Sequence, residues 1–264
     1  MRKTGILLVA VALFATLSVG QAQAQEEGKK LGVSLDVTYM SKWMSRGVEC
    51  YSEDGAFFET VDVDLWGTGF GFATTHQSAT GGGWVNMQRM NYKVYYGNSL
   101  FDDKAYKTKY NIAWVYENWY DKWANAAGKS KDIEMCVFNY SLPNLLGSTG
   151  LIPYGITTYD YPAESDDGFN NSHWDGWVHR FGIGYDLDLP ALPSPLHLSS
   201  DIAYTDGLRA AEHDWSFATF GISTKFKLSE NMAFVPGIYQ QVSMDDSVCD
   251  HDVTYCKVSM KYKF

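Results

Sequence analysis

Along most of the chain, apolar and polar side chains alternate with a period of two. At its end Val258, Met260, Tyr262 and Phe264 share one face, and Lys257, Ser259, Lys261 and Lys263 share the other. That is the side-chain period of a β-strand. Residues 31–40 behave alike, with Leu31, Val33, Leu35, Val37 and Tyr39 opposed to Ser34, Asp36 and Thr38. The pattern predicts ten further strands between these two: 57–66, 70–76, 84–96, 105–117, 131–141, 151–160, 176–188, 196–204, 213–227 and 232–242. The cleanest is Gly176 to Asp188, where Trp177, His179, Phe181, Ile183, Tyr185 and Leu187 oppose Val178, Arg180, Gly182, Gly184, Asp186 and Asp188. The facing of 131–141 is ambiguous, and 151–160 is weakly patterned. Pro236 falls inside the eleventh strand, where its missing N–H implies a bulge, a local break, or that no strand runs there.

Strands this two-sided suit a wall between lipid and water better than a dry sandwich. Asp62 and Asp64 share a face and would be costly in an apolar interior. About ten residues per strand, at roughly 3.3 Å each and a tilt near 40°, span about 25 Å. In hydrocarbon an unpaired strand edge leaves amides without partners, so the last strand is expected to pair with the first. Connection lengths tend to alternate too. Gly67-Thr68-Gly69, Leu142 to Gly150, Leu189 to Pro195 and Ser229-Glu230-Asn231 lie at one end; the longer polar connections 44–55, 77–83, 118–130, 161–174, 205–212 and 243–251 lie at the other. The expected fold is all-β: a closed antiparallel transmembrane barrel of about twelve strands, with both termini periplasmic. Ten and fourteen are the neighbouring even counts.

The amino terminus sets the compartment. Arg2 and Lys3 precede an apolar run from Ile6 to Val19, followed by Ala22-Gln23-Ala24. This reads as a signal peptide over 1–24 that leaves 25–264 as the barrel. The run is shorter than the roughly 20 residues of a membrane-spanning helix. The 18 Tyr, 14 Phe and 9 Trp, set against 20% charged residues, fit aromatic girdles around a polar lumen. The net charge of −10 becomes −12 once Arg2 and Lys3 are removed, which argues against nucleic acid as a partner.

The segment Asp36-Val37-Thr38-Tyr39-Met40-Ser41-Lys42-Trp43-Met44-Ser45-Arg46-Gly47 resembles the opening of an outer-membrane porin family of Gram-negative bacteria. Members begin with a strand reading roughly D-V-x-x-x-S-x-Y-x-x-R-G. Asp36, Val37, Ser41, Arg46 and Gly47 match, and Trp43 stands at the usual aromatic position. The closing Tyr262-Lys263-Phe264 is similar to the aromatic-ended last strand that the barrel-assembly machinery recognises. The loops and the four cysteines depart from the family. The resemblance implies a porin of the bacterial outer membrane, surrounded by its lipids.

The expected function is passive diffusion of small hydrophilic solutes, with no enzyme activity, cofactor or metal. Candidate pore-lining residues are Arg46, Asp62, Asp64, Arg89, Arg180, Asp186, Lys257 and Lys261, with Lys93, Asp201 and Lys225 on the same face. Opposed signs across a lumen set up a transverse field, or pair and block it. Arg46 is singled out for an eyelet or loop-anchoring role. Among Cys50, Cys136, Cys249 and Cys256, a local Cys249–Cys256 bridge is preferred over Cys50–Cys249. His76, His173, His213 and His251 fall near outer loops, where they could gather. His173, Ser172 and Asp175 offer hydrolytic atoms, but too close in sequence for a triad. Trp43, Trp66, Trp114, Trp119, Trp174 and Trp177 read as interfacial girdle residues. The rival functions are a membrane-embedded lipid-modifying enzyme, a non-conducting structural or adhesive barrel and, last, a secreted sugar-binding sandwich.

Overall fold

A computed structural model describes residues 30–52, 54–82, 88–119, 132–163 and 175–264. The expected signal segment 1–24 lies outside the described residues, as do 84–87 of the fourth predicted strand, Ser172, His173 and Trp174.

Twelve strands form the wall. They are β1 (Gly32–Met40), β2 (Ala56–Asp64), β3 (Phe70–Ala79), β4 (Arg89–Leu100), β5 (Thr108–Trp119), β6 (Ile133–Ser141), β7 (Leu151–Pro162), β8 (Gly176–Leu187), β9 (Leu196–Asp206), β10 (Asp214–Thr224), β11 (Met232–Ser243) and β12 (Val253–Lys263). Each pairs antiparallel with its sequence neighbours, and β1 pairs antiparallel with β12 from Ser34↔Lys263 to Met40↔Lys257. The sheet is therefore a closed up-and-down barrel. At the seam, Thr38 and Ser259 share a buried hydroxyl–hydroxyl hydrogen bond of 2.6 Å. The ladder extends past both strand ends, where Ser41 N–H donates to Cys256 O and Phe264 N–H donates to Val33 O.

The facing follows the predicted alternation. Val37, Val61, Phe72, Ile112, Phe181, Ile183, Phe220, Ile222, Ile238, Met260 and Tyr262 are exposed on the outside, while Thr38, Asp201, Thr219, Gln241 and Ser259 are buried within. Gly182 shows why small residues recur inside: the Tyr154 ring crosses it so closely that an added Cβ would sit 2.3 Å from Cζ.

Two irregularities have local causes. The β10–β11 ladder runs to Ser223↔Gly237, stops opposite Pro236, and resumes in unchanged register at Phe226↔Phe234. Proline has no N–H to give on that edge, so the expected break appears there while β11 continues. Ser216 is extra in β10, where the register shifts between Ala203 and Tyr204. It is buried and accepts a hydrogen bond from Thr205 Oγ1 at 2.8 Å.

Candidate functional site

The connection after β1 folds into the mouth of the barrel instead of standing above it. Met44–Ser45 pairs with Val48–Glu49 as a small hairpin. Its two central residues are Arg46 (φ 53°) and Gly47 (φ 89°). Two positive φ values in a two-residue loop are the demand of a type I′ turn, which glycine meets without strain. The tip touches staves from opposite parts of the wall. Gln241 Nε2 on β11 donates to Gly47 O at 2.7 Å, and an added Gly47 Cβ would sit 2.5 Å from Phe217 Cδ1 on β10. On the other side, Arg46 Nε lies 2.5 Å from Asp160 Oδ2 on β7, and a terminal nitrogen lies 3.5 Å from Glu117 Oε1 on β5. The same end of the guanidinium contacts Met135 Sδ on β6.

A second arginine completes the cluster. Arg89, the first residue of β4, reaches Glu117 Oε2 at 2.5 Å and donates from Nε to Gln77 Oε1 at 2.8 Å. Its guanidinium carbon lies 4.5 Å from the Trp43 ring centroid and 5.0 Å from that of Trp119. Glu117 thus stands between two guanidinium groups, and Arg46 between two carboxylates. Burial alone would depress the Arg46 pKa, but Asp160 and Glu117 outweigh it and move the group upward. Arg209, on the turn Leu208–Ala210 between β9 and β10, is held below the usual arginine range by burial and by repulsion from Arg46.

Trp43, Tyr51 and Ala56 form a buried apolar knot behind the hairpin, with Phe58 and Trp119 against it. Burial pushes the Tyr51 hydroxyl up to about 12 and raises the Cys50 thiol. Trp43 is therefore not the girdle residue the sequence pattern predicts; it is 4% exposed and anchors a loop. Trp66 sits exposed in the β2–β3 turn at φ 59°, and Trp177 is exposed on the outer face. Trp114, on the same outward face by register, donates to Glu134 Oε2 at 3.2 Å, as does Tyr161 at 2.8 Å.

The remaining candidates spread down the wall. Arg180 grips Asp201 through Nε at 3.0 Å and a terminal nitrogen at 2.6–2.8 Å, and Tyr154 donates to the same carboxylate at 3.1 Å. Lower down, Tyr95 donates to Asp62 at 2.9 Å, Lys93 Nζ lies 4.7 Å from the Tyr95 ring centroid, and Lys261 pairs with Asp36 at 3.1 Å. Lys257 shares this inward face, paired in register with Gly237 and Met40. Asp64 is instead taken up by a turn, accepting from Gly67 N–H. Asp186 sits 2.6 Å from His197 Nδ1 in an exposed pair. Lys225 falls in the ladder gap beside Pro236.

The preferred disulfide is not formed: all four cysteines are free thiols. Cys256 shares its face with Ile238, which is 63% exposed on the outside, whereas Cys249 is buried in the loop between β11 and β12 with Sγ on the His251 carbonyl. Among the described residues, the remaining three loop histidines stand apart from one another. His76 meets Glu59, His213 meets Asp206, and His251 meets Glu49 and Asp250.

Glu117, Asp160, Gln77 and Gln241 were not legible as site residues in the sequence. One signal was present: Ile133, Met135 and Val137 are apolar yet face inward, with Glu134 and Cys136 outside. Apolar side chains on a luminal face mark where something else packs on them, and here Met135, clustered with Ile133 and Val115, is met by Arg46 of the hairpin.

No protein-family model and no curated protein matches the chain. Among solved structures, the KdgM porin in complex with disordered oligogalacturonate aligns with a TM-score of 0.51 at 9% identity, covering 88% of this chain and 99% of that one. The NanC porin aligns with a TM-score of 0.51 at 12% identity, covering 87% and 100%. LpxR from Salmonella typhimurium aligns at 0.43 and 10% identity, covering 88% and 100%. At such identities the first two likenesses establish architecture alone: this chain has the closed antiparallel β-barrel fold of outer-membrane porins.

Proposed function

We propose that this protein is a bacterial outer-membrane porin through which small hydrophilic solutes diffuse passively past the Arg46 hairpin. On this reading both termini are periplasmic, the outward apolar face lies in outer-membrane lipid, and the aromatic-ended β12 is the strand offered to the barrel-assembly machinery. The supporting observation is the hairpin itself. A loop that carries an arginine into the mouth, fixed by carboxylates on β5 and β7, narrows a charged passage without covalent closure. Lower in the bore, Arg180–Asp201 and Lys261–Asp36 keep both signs along the wall, which favours polar solutes over apolar ones.

Arg46, Asp62, Arg89, Arg180, Lys257 and Lys261 are proposed to line the route. Asp64 and Asp186 are proposed for its periplasmic exit, where one caps a turn and the other pairs with His197. The reading includes no chemistry or cofactor. A second reading has one observation in its favour: the Arg46–Glu117–Arg89 chain ties the hairpin to two staves, and a tie that holds permanently makes a plugged, structural barrel.

Conductance of the purified protein in planar bilayers separates the two. Discrete channel openings with salt-dependent ion selectivity are expected. A folded barrel that never conducts would transfer the assignment to the structural reading. Acidic and neutral oligosaccharides added as blockers would then rank solute classes.

A further inference from the structure

We propose that the last outer loop carries a binding site for a zinc-class divalent cation, built from the Cys249 thiolate, the Asp250 carboxylate and the His251 imidazole. One donor atom from each residue lies within 4.8 Å of the others. Zinc ligands at about 2.0–2.3 Å in a tetrahedron stand roughly 3.3–3.8 Å apart, so closure takes about one ångström of side-chain rotation. A thiolate with an imidazole selects zinc or a softer ion over calcium or magnesium, which prefer oxygen alone.

The second observation is how His251 is held. Its Nε2 lies 3.1 Å from Glu49 Oε2, and Glu49 is a buried side chain on the Arg46 hairpin whose other oxygen meets Lys42 Nζ at 3.1 Å. With Nε2–H donated to Glu49, the cation takes the place of the proton that Nδ1 donates to Asp250 Oδ1 at 2.6 Å. A carboxylate that fixes the far nitrogen of a metal-binding histidine is the usual outer-shell arrangement at such sites. The buried Cys249 points its sulfur at the His251 carbonyl, 3.3 Å away, which keeps it beside the ring. Three protein ligands leave a fourth position for water.

The location gives the site a consequence. Glu49 belongs to the strand arm that follows Arg46, so a cation on His251 braces the last loop against the hairpin in the mouth. The site takes one of the loop histidines, its two chain neighbours and a distant carboxylate.

Zinc titrated calorimetrically into the folded full-length barrel should bind at one ion per chain. Cys249→Ser and His251→Ala should each weaken binding at least about 100-fold, and Glu49→Gln about 10- to 100-fold. Cobalt(II) should give a thiolate charge-transfer band that Cys249→Ser removes. In a background with Cys50, Cys136 and Cys256 replaced by Ser, zinc should slow alkylation of Cys249. Zinc binding that persists unchanged in the Cys249→Ser/His251→Ala double variant, or alkylation indifferent to zinc, would overturn the site. Circular dichroism confirms that each variant is folded, and no readout requires the barrel to conduct.

Discussion

Arg46 Nε and Asp160 Oδ2 stand 2.5 Å apart, joining the turn that follows β1 to a stave more than a hundred residues later. Both side chains are nearly excluded from solvent, so deleting one strands the other. Arg46→Ala is expected to destabilise the barrel by roughly 3–5 kcal/mol, the cost of leaving a buried charge unpaired. It should also raise single-channel conductance by releasing the hairpin. Arg46→Lys should keep the charge but lose the fork that reaches both carboxylates. Urea unfolding in detergent and bilayer recordings test the two effects separately; a variant with unchanged conductance would remove Arg46 from the passage.

Gly47 is tied to Phe217 by lack of space. Its φ of 89° and an added Cβ at 2.5 Å from Phe217 Cδ1 and 2.7 Å from Val248 Cγ1 leave no room for a side chain. Gly47→Ala should cost about 1–3 kcal/mol through strain and displacement of the tip. Adding Phe217→Ala removes the clash with the ring but neither the approach to Val248 nor the φ strain, so a double-mutant cycle should return a favourable coupling. Strict additivity would mean the tip does not pack on Phe217.

Neighbours on one strand should differ by facing alone. Phe138 is exposed on the outer face of β6, and Asn139, paired in register with Asn111, faces inward. Phe138→Arg is expected to cost about 2–4 kcal/mol in a bilayer, as a cation near the midplane does. Asn139→Arg should be nearly neutral for stability and should shift ion selectivity toward anions. Equal losses at both positions would contradict the assignment of the two faces.

Alkaline pH should loosen the hairpin anchor. Burial raises the Cys50 thiol above its ordinary value of 9.0 and the Tyr51 hydroxyl from 10.0 to about 12. The unfolded chain releases these protons first, so the folded state is penalised as pH climbs. The associated stability is complete below about pH 9 and drains away toward about pH 12. Chemical denaturation across this range should show a falling midpoint, with a shallower fall in Tyr51→Phe and Cys50→Ser. An identical slope in both variants would dissociate the anchor from the titration.

The sequence by itself determined the staves. Period-two alternation repeats twelve times because each strand must present one face to lipid and one to water, and that rule is local enough to read residue by residue. It assigned the outward set on β1, β8 and β12, the break at Pro236, and Arg46 as a residue apart. It left the sixth strand unresolved, because Ile133, Met135 and Val137 turn apolar groups inward, where they cluster with Val115 and Met135 meets Arg46 of a loop folded into the mouth. Glu117, Asp160 and Gln241 look like ordinary luminal polar residues until closure brings them to one hairpin. The tertiary structure alone decided these contacts. Curling the sheet sets residues far apart in the chain across a few ångströms, and no pattern along one strand records what stands opposite.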